Sequence, residues 1–370
     1  MQNNILEYFH DRRLLILSTA SIIFVLGLKH LQLFSTGNLV FDALQFILLT
    51  VLILISARSI SNRAEYLAHK YGEPHGTLIL TFTSVMVEMI MLCSIMLHEQ
   101  HEPMIARDTV YSVIMIVING LIGISIFLGA MKHGEQKYNL KSSNSYFSMI
   151  LAFVGISLVL PNFIPPASIH YYEIFLIVIS ILVYLVFVRI QTKEHRHFFT
   201  YEQHSTERHQ IWLDHQQNSS GWYQGILLFF TLVIIGYLAN TVAIIIDDAS
   251  TKMAIPNQAA ALYIAILILA PEGLTAIRAG LNNEMQRVIN VCLGSVLSTI
   301  TLTIPAVLLI GLIFDRHMIL GITQIQAVML FLTLFVGMNS YRHGETNAIQ
   351  GIIHSTLFVT YIVLMFTHSL

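Results

Sequence analysis

Eleven apolar runs of membrane-spanning length follow one another along the chain, and they leave few ways for it to fold. They fall at about 14–34, 38–57, 76–98, 108–131, 145–164, 171–190, 222–246, 257–279, 288–314, 322–340 and 347–367. A helix rises about 1.5 Å per residue, so roughly 20 residues cross a hydrocarbon core about 30 Å thick. Only 11% of the 370 residues are charged, against about 25% in soluble domains. The expected fold class is therefore an all-α polytopic membrane protein with eleven transmembrane helices. Arg12 and Arg13 ahead of Leu14–Leu28 mimic a signal peptide, but no small-x-small cleavage site follows, so this run is expected to stay as the first span. A formal net charge of −2 gives no basis for a nucleic-acid partner. Cys93 and Cys292 both lie inside spans and are expected to be apolar fillers rather than a disulfide.

Positive charge sets the orientation. With the N-terminus and every second loop assigned to one side, that side holds fifteen of the nineteen Lys and Arg residues. Lys29, Arg107, Lys252 and Arg316 are left for the other side. The rule that basic loops stay inside predicts a cytoplasmic N-terminus and an external C-terminus. The long polar stretch at 191–221 is then a cytoplasmic linker and divides the chain. It separates a first half at 36–190 (spans 2–6, preceded by the N-terminal helix at 1–35) from a second at 222–370 (spans 7–11). Five is odd, so the halves are expected to be inverted repeats, an architecture of secondary transporters with a site at the repeat interface.

Glu88 interrupts Leu78–Leu97 near its centre, and Glu272 is the ionisable residue of Ala259–Ile277. Each stands on the second span of its half. A charge at midplane costs about 3 kcal/mol on mild insertion scales, so intramembrane carboxylates read as functional. Thr81 and Ser84 precede Glu88 by seven and four residues and share its helical face. The next span adds Asn119, with Gly120 and Gly123. Pro271 and Gly273 flank Glu272, and the proline is expected to break the helix and turn carbonyl oxygens toward an ion. The span after it supplies Ser295, Ser298 and Thr299. Such all-oxygen surroundings suit a hard cation such as Ca²⁺, which takes six to eight oxygens at roughly 2.3–2.6 Å. Without a cation, two buried carboxylates repel each other and are poorly solvated, and protons relieve both. Protonation and metal binding at the same oxygens exclude one another, which is the physical basis of exchange.

These residues resemble a known family. Gly72–Thr81 (GEPHGTLILT) with Glu88 downstream resembles the first α-repeat of bacterial cation/proton antiporters in the calcium/cation antiporter superfamily. Pro271–Asn283 (PEGLTAIRAGLNN), followed by Leu293-Gly294-Ser295 and Thr303–Val307 (TIPAV), resembles the second. The similarity is closest to the branch of sodium-potassium/proton and calcium/proton antiporters and runs from about Ser56 to the last span. It implies that the two essential glutamates fall on Glu88 and Glu272, which alternate between protons and Ca²⁺, Na⁺ or K⁺. It also implies a bacterial inner-membrane location, with lipids and ions as partners and no cofactor. Calcium exchangers of this superfamily carry Gly-Asn-Ala before each glutamate, whereas this chain has Ser84-Val85-Met86 and Leu269-Ala270-Pro271. Asn119 keeps the expected amide on the following span and Thr299 replaces it in the second half. Amide ligands are thus fewer, which leaves room for Na⁺ or K⁺ in place of Ca²⁺.

Asp42 and Gln45 on span 2 and Asn240 and Thr241 on span 7 occupy matching places and are expected to line access paths. Five histidines in the linker (195, 197, 204, 209 and 215) fit no compact metal site and are expected to be solvated. His98 and His101 are three apart rather than the four of a helical zinc motif. His354 is expected to hydrogen-bond between helices. An ion channel is disfavoured because pores usually need several copies of one segment. An intramembrane enzyme is disfavoured for want of a catalytic constellation at consistent depth. Oligomeric state is not legible here.

Overall fold

The computed structural model describes residues 39–72, 75–96, 104–200, 220–253, 257–314 and 318–368. The expected first span, most of the linker and the His98–Glu102 stretch lie outside these residues. The long helices are α1 (Leu39–Tyr71), α2 (His75–Met96), α3 (Ile105–His133), α4 (Leu140–Phe163) and α5 (Pro166–Glu194), trailed by the short α6 (Arg196–Phe199). After the linker come α7 (Gly221–Met253), α8 (Asn257–Leu281), α9 (Met285–Ile313), α10 (Gln324–Ser340) and α11 (Ala348–His368). Among the described residues eight helices are long and apolar enough to cross a membrane, and apolar stretches in α2 and α10 are shorter. The chain is a multi-pass membrane protein. Two-residue strands β1 (Gln136–Lys137) and β2 (Glu345–Thr346) pair antiparallel, Gln136 opposite Thr346.

Contacts divide the helices into two compact units, the first made of α1, α2 and α7 and the second of α3–α6 and α8–α11. Each sequence half contributes to both.

In the first unit, α1 runs fourteen residues beyond the expected end of its apolar run. Ile60, Arg63, Ala64 and Leu67 are all buried, so the helical period continues through the polar stretch on one face. Gly72 then stops the helix at φ +63°, its N–H returning to Ala68 O at 3.0 Å. Arg63 is one of the fifteen basic residues counted on the N-terminal side, where a solvated loop position is the default. Instead it is buried and donates from Nη1 to Gln224 Oε1 of α7 at 2.6 Å. The buried guanidinium needs an acceptor, and a neighbouring helix supplies one.

In the second unit, loops meet as alternating spans require. At one end, Gln136 donates to Gly280 O at 2.9 Å, and Gln286 Oε1 accepts from Asn139 N at 2.6 Å. Asn290 reaches Phe199 O of α6 at 2.6 Å there. At the other end, Arg107 is buried rather than solvated. It pairs with Asp108 at 2.8 Å and donates to Gly321 O at 2.8 Å. Gln326 donates to Asp108 at 3.1 Å, and Asn162 reaches Ile322 O at 2.6 Å.

The core of this unit lies around α3. Val113, Ile114, Val117 and Ile118 belong to one buried cluster with Val288, Ile289, Val296 and Leu297 of α9. Two helices approach α3 almost backbone to backbone. A Cβ on Gly280 of α8 would lie 2.6 Å from Ser125 O, and one on Gly351 of α11 would lie 2.6 Å from Phe127 N. Small residues permit such contact and so bring membrane helices into dispersion range.

Proline does not break α8. The helix is continuous from Asn257 to Leu281 with Pro271 inside it, and Thr275 Oγ1 donates to Pro271 O at 3.1 Å. Neighbouring helices and hydroxyls tolerate proline in membrane helices. The loosened backbone lies in the adjoining helices instead, as π-helical turns at Ile116–Leu121 in α3 and Thr299–Thr303 in α9.

Gly280→Ala forces a methyl against backbone that cannot swing aside, and overpacking of this kind costs about 1–3 kcal/mol. Thermal unfolding of the detergent-solubilised protein should fall by several degrees. Gly155→Ala, whose Cβ meets nothing within 4 Å, should leave it unchanged.

Candidate functional site

Glu88 stands on α2 of the first unit and is 5% exposed. Thr81 and Ser84, each half-buried, lie two turns and one turn earlier on the same helix. Helix α7 comes close to the next turn, because a Cβ on Gly236 would lie 2.8 Å from Ile90 Cγ2. On α7 itself Thr241 is buried and donates to Tyr237 O at 2.9 Å, whereas Asn240 is exposed. Gln45 on α1 is buried. Asp42 lies on the same helix, and its side chain falls outside those described.

Glu272 stands on α8 of the second unit and is half-buried. Ser295 of α9 donates its hydroxyl to Glu272 Oε2 at 2.6 Å, joining two residues expected to share a site. A short hydrogen bond to a carboxylate is of the strong, charge-assisted kind. A hydroxyl both donates and accepts, so Ser295 suits a carboxylate by donating and a carboxylic acid by accepting. Ser298, buried one turn on, donates to Ser295 O at 2.9 Å. Thr299 is fully buried where the π-helical turn of α9 begins.

Asn119 takes a different arrangement. It lies in the π-helical turn of α3, and its Nδ2 donates to Thr333 Oγ1 of α10 at 2.7 Å. His354 of α11 approaches its Oδ1 through Nδ1 at 3.1 Å. The expected interhelical role of His354 is therefore what the structure contains. Thr333 drew no notice in the sequence, although a hydroxyl inside an apolar span was the available signal. The turn bearing Asn119 touches the turn bearing Glu272, since a Cβ on Gly273 would lie 2.9 Å from Leu121 Cδ2.

Among the described residues no three or more His, Cys, Asp or Glu side chains cluster as metal ligands. Both cysteines are free. Around Glu272 the described polar groups are a carboxylate and hydroxyls, and oxygen donors of that kind suit hard ions.

The sodium/calcium exchanger protein family model matches residues 41–193 and 223–367. The chain belongs to that family. The chain is also 35% identical to the sodium-potassium/proton antiporter ChaA of Escherichia coli (strain K12) over 317 residues, covering 85% of this chain and 86% of that protein. Solved structures share the fold at lower identity. Native YfkE superposes with a TM-score of 0.73 at 18% identity, covering 95% of this chain and 99% of the other. The H⁺/Ca²⁺ exchanger CAX gives 0.69 at 11%, covering 97% and 89%. Membership makes this chain an ion-transporting antiporter rather than an enzyme, and the π-helical turns and Ser295–Glu272 contact belong to a member of that family.

Ser295→Ala removes the donor to Glu272 and leaves the fold. Hydrogen bonds to charged groups contribute about 1.5–3 kcal/mol. Cation-driven proton flux in everted vesicles should therefore fall about tenfold or more at low cation concentration, and Ser295→Thr should retain most of it.

Proposed function

We propose that the chain exports Ca²⁺, and also Na⁺ or K⁺, from the bacterial cytoplasm in exchange for protons by alternating access. Glu88 and Glu272 bind the cation and protons in turn. One observation carries this reading: each half of the chain places a carboxylate on its second span, and the one on α8 is met by a hydroxyl from the next helix at 2.6 Å. The cost of a charge at that depth argues for function. Ser295 and Ser298, with Thr81, Ser84, Asn119 and Thr299, supply or position further oxygens. Gln45, Thr241, Asp42 and Asn240 lie on α1 and α7, the helices that would open and close access.

Several features support the two inverted halves at 36–190 and 222–370. The family model matches in two blocks on either side of the linker. Loops that carry basic residues meet other such loops within each unit, as the alternation of spans demands. The N-terminus and linker are then cytoplasmic by charge, the C-terminus external, and the location the inner membrane. With the span expected at 14–34, which lies outside the described residues, the proposed count is eleven.

A second reading is a Na⁺(K⁺)/H⁺ antiporter without physiological Ca²⁺ transport. The loss of amides beside each glutamate favours it, as does the sodium-potassium/proton activity named for the 35%-identical relative. Purified protein in proteoliposomes, titrated in turn with Ca²⁺, Na⁺ and K⁺ while proton flux is followed by dye dequenching, separates the two. Under either reading Glu88→Gln and Glu272→Gln should each abolish exchange, since a neutral amide carries neither the proton nor the charge that holds a cation. Full exchange by either variant would refute the assignment.

A further inference from the structure

We propose that His354 and Thr333 are positioning residues that fix the direction in which Asn119 presents its amide. This rests on the reading of Asn119 as part of the cation site. Asn119, Thr333 and His354 are each fully buried and come from three helices, α3, α10 and α11. Asn119 Nδ2 donates to Thr333 Oγ1 at 2.7 Å, and Thr333 in turn directs its hydroxyl at Met115 Sδ, 3.5 Å away. A second Nδ2 contact reaches that sulfur at 3.8 Å. With the amino side so committed, the oxygen must face His354, whose Nδ1 lies 3.1 Å from it and carries the proton. An amide oxygen has two lone pairs, so one remains for a cation while the imidazole holds the other.

Two features mark this contact as built. His354 Nε2 is buried with no hydrogen-bond partner. A buried polar atom left unmet is costly, and a leucine would fill the same space without that cost. What the histidine adds is the Nδ1–H on Asn119. The approach of α11 also depends on glycine, for a Cβ on Gly123 would lie 2.9 Å from Ser355 N and 3.0 Å from His354 Cβ. Asn119 stands in a π-helical turn, a form frequent at functional sites. That turn packs on Gly273, the neighbour of Glu272. A rotation of the amide would replace an oxygen by an amino group where a cation is bound.

The test uses the full-length protein in proteoliposomes, with proton flux titrated separately by Ca²⁺, Na⁺ and K⁺. His354→Leu should raise the KM for the transported cation at least fivefold while kcat stays within twofold. His354→Asn places an amide N–H near the position of Nδ1 and should restore KM to within twofold. Thr333→Val, which keeps shape and removes the acceptor, should repeat the KM effect and carries the test if His354→Leu does not fold. In the Asn119→Ala background His354→Leu should add nothing, whereas a mere packing role would multiply the two effects. An unchanged KM in His354→Leu, no rescue by His354→Asn, or multiplied effects overturns the proposal. If instead Asn119→Ala alone leaves KM unchanged for all three cations, the reading of Asn119 as a site residue fails, whatever His354 does.

Discussion

Close contact between α3 and two neighbours is the constraint on which the second unit depends. In lipid, apolar side chains gain little by leaving their surroundings for one another, so helices associate through dispersion and hydrogen bonds at short range. Gly280, Gly351 and Gly123 make that range available, each lying where a methyl would meet the backbone or Cβ of another helix within about 3 Å. With α8 and α11 drawn onto it, α3 brings the turn of Asn119 against both Gly273 and His354. The polar contacts at the two ends of the unit then fix register. Gln136 with Gly280 at one end and Arg107 with Asp108 and Gly321 at the other keep the helices from sliding along their axes.

Four helices of the second unit contain π-helical turns, α4 and α5 at Gly155–Val159 and Ile190–Glu194 among them, but the carboxylate helix α8 does not. Pro271 sits in an unbroken α8, while the adjoining α3 and α9 each contain a π-helical turn, at Ile116–Leu121 and Thr299–Thr303. A π-helical turn widens the helix by one residue and shifts which side chains face a neighbour. In α3 and α9 the shift occurs at Asn119 and Thr299, the two positions expected from the sequence to correspond between the halves. Keeping the carboxylate on a regular helix gives Glu272 a fixed axis, and on the proposed reading adjustment would fall to the helices packed against it. A proton and a metal ion differ in size and in the oxygens they need, so such adjustment has a use.

The spans were largely legible because lipid imposes a length that a run of apolar residues declares outright. Their ends were not. The end of α1 lies fourteen residues past its apolar run because one face stays buried in protein, and hydropathy does not separate lipid from protein as the source of burial. Alternation of the spans groups the loops as the contacts within the second unit do, but a count of charges does not distinguish a solvated arginine from a buried one such as Arg63 or Arg107. Both are buried, each held by an acceptor distant in sequence, Gln224 and Gly321. The Ser295–Glu272 pair was legible as two polar residues on neighbouring spans. The Asn119–Thr333–His354 cluster was only half so, since its members come from helices far apart in the chain and pattern alone does not say which polar residues meet.

On the proposed reading of Glu272 as an exchange site, a serine is a better-suited neighbour than a charged group. A fixed ammonium or guanidinium at that distance would hold the carboxylate charged, and it would repel an arriving cation. A hydroxyl does neither. Its hydrogen can turn toward a carboxylate oxygen, as in the 2.6 Å contact, and its lone pairs can accept from a carboxylic acid, so it can serve either state. It therefore ranks the proton-bound and proton-free forms more evenly than a charged partner would. Near-balance is what exchange requires, because a site that strongly prefers one form releases its ion too rarely to turn over.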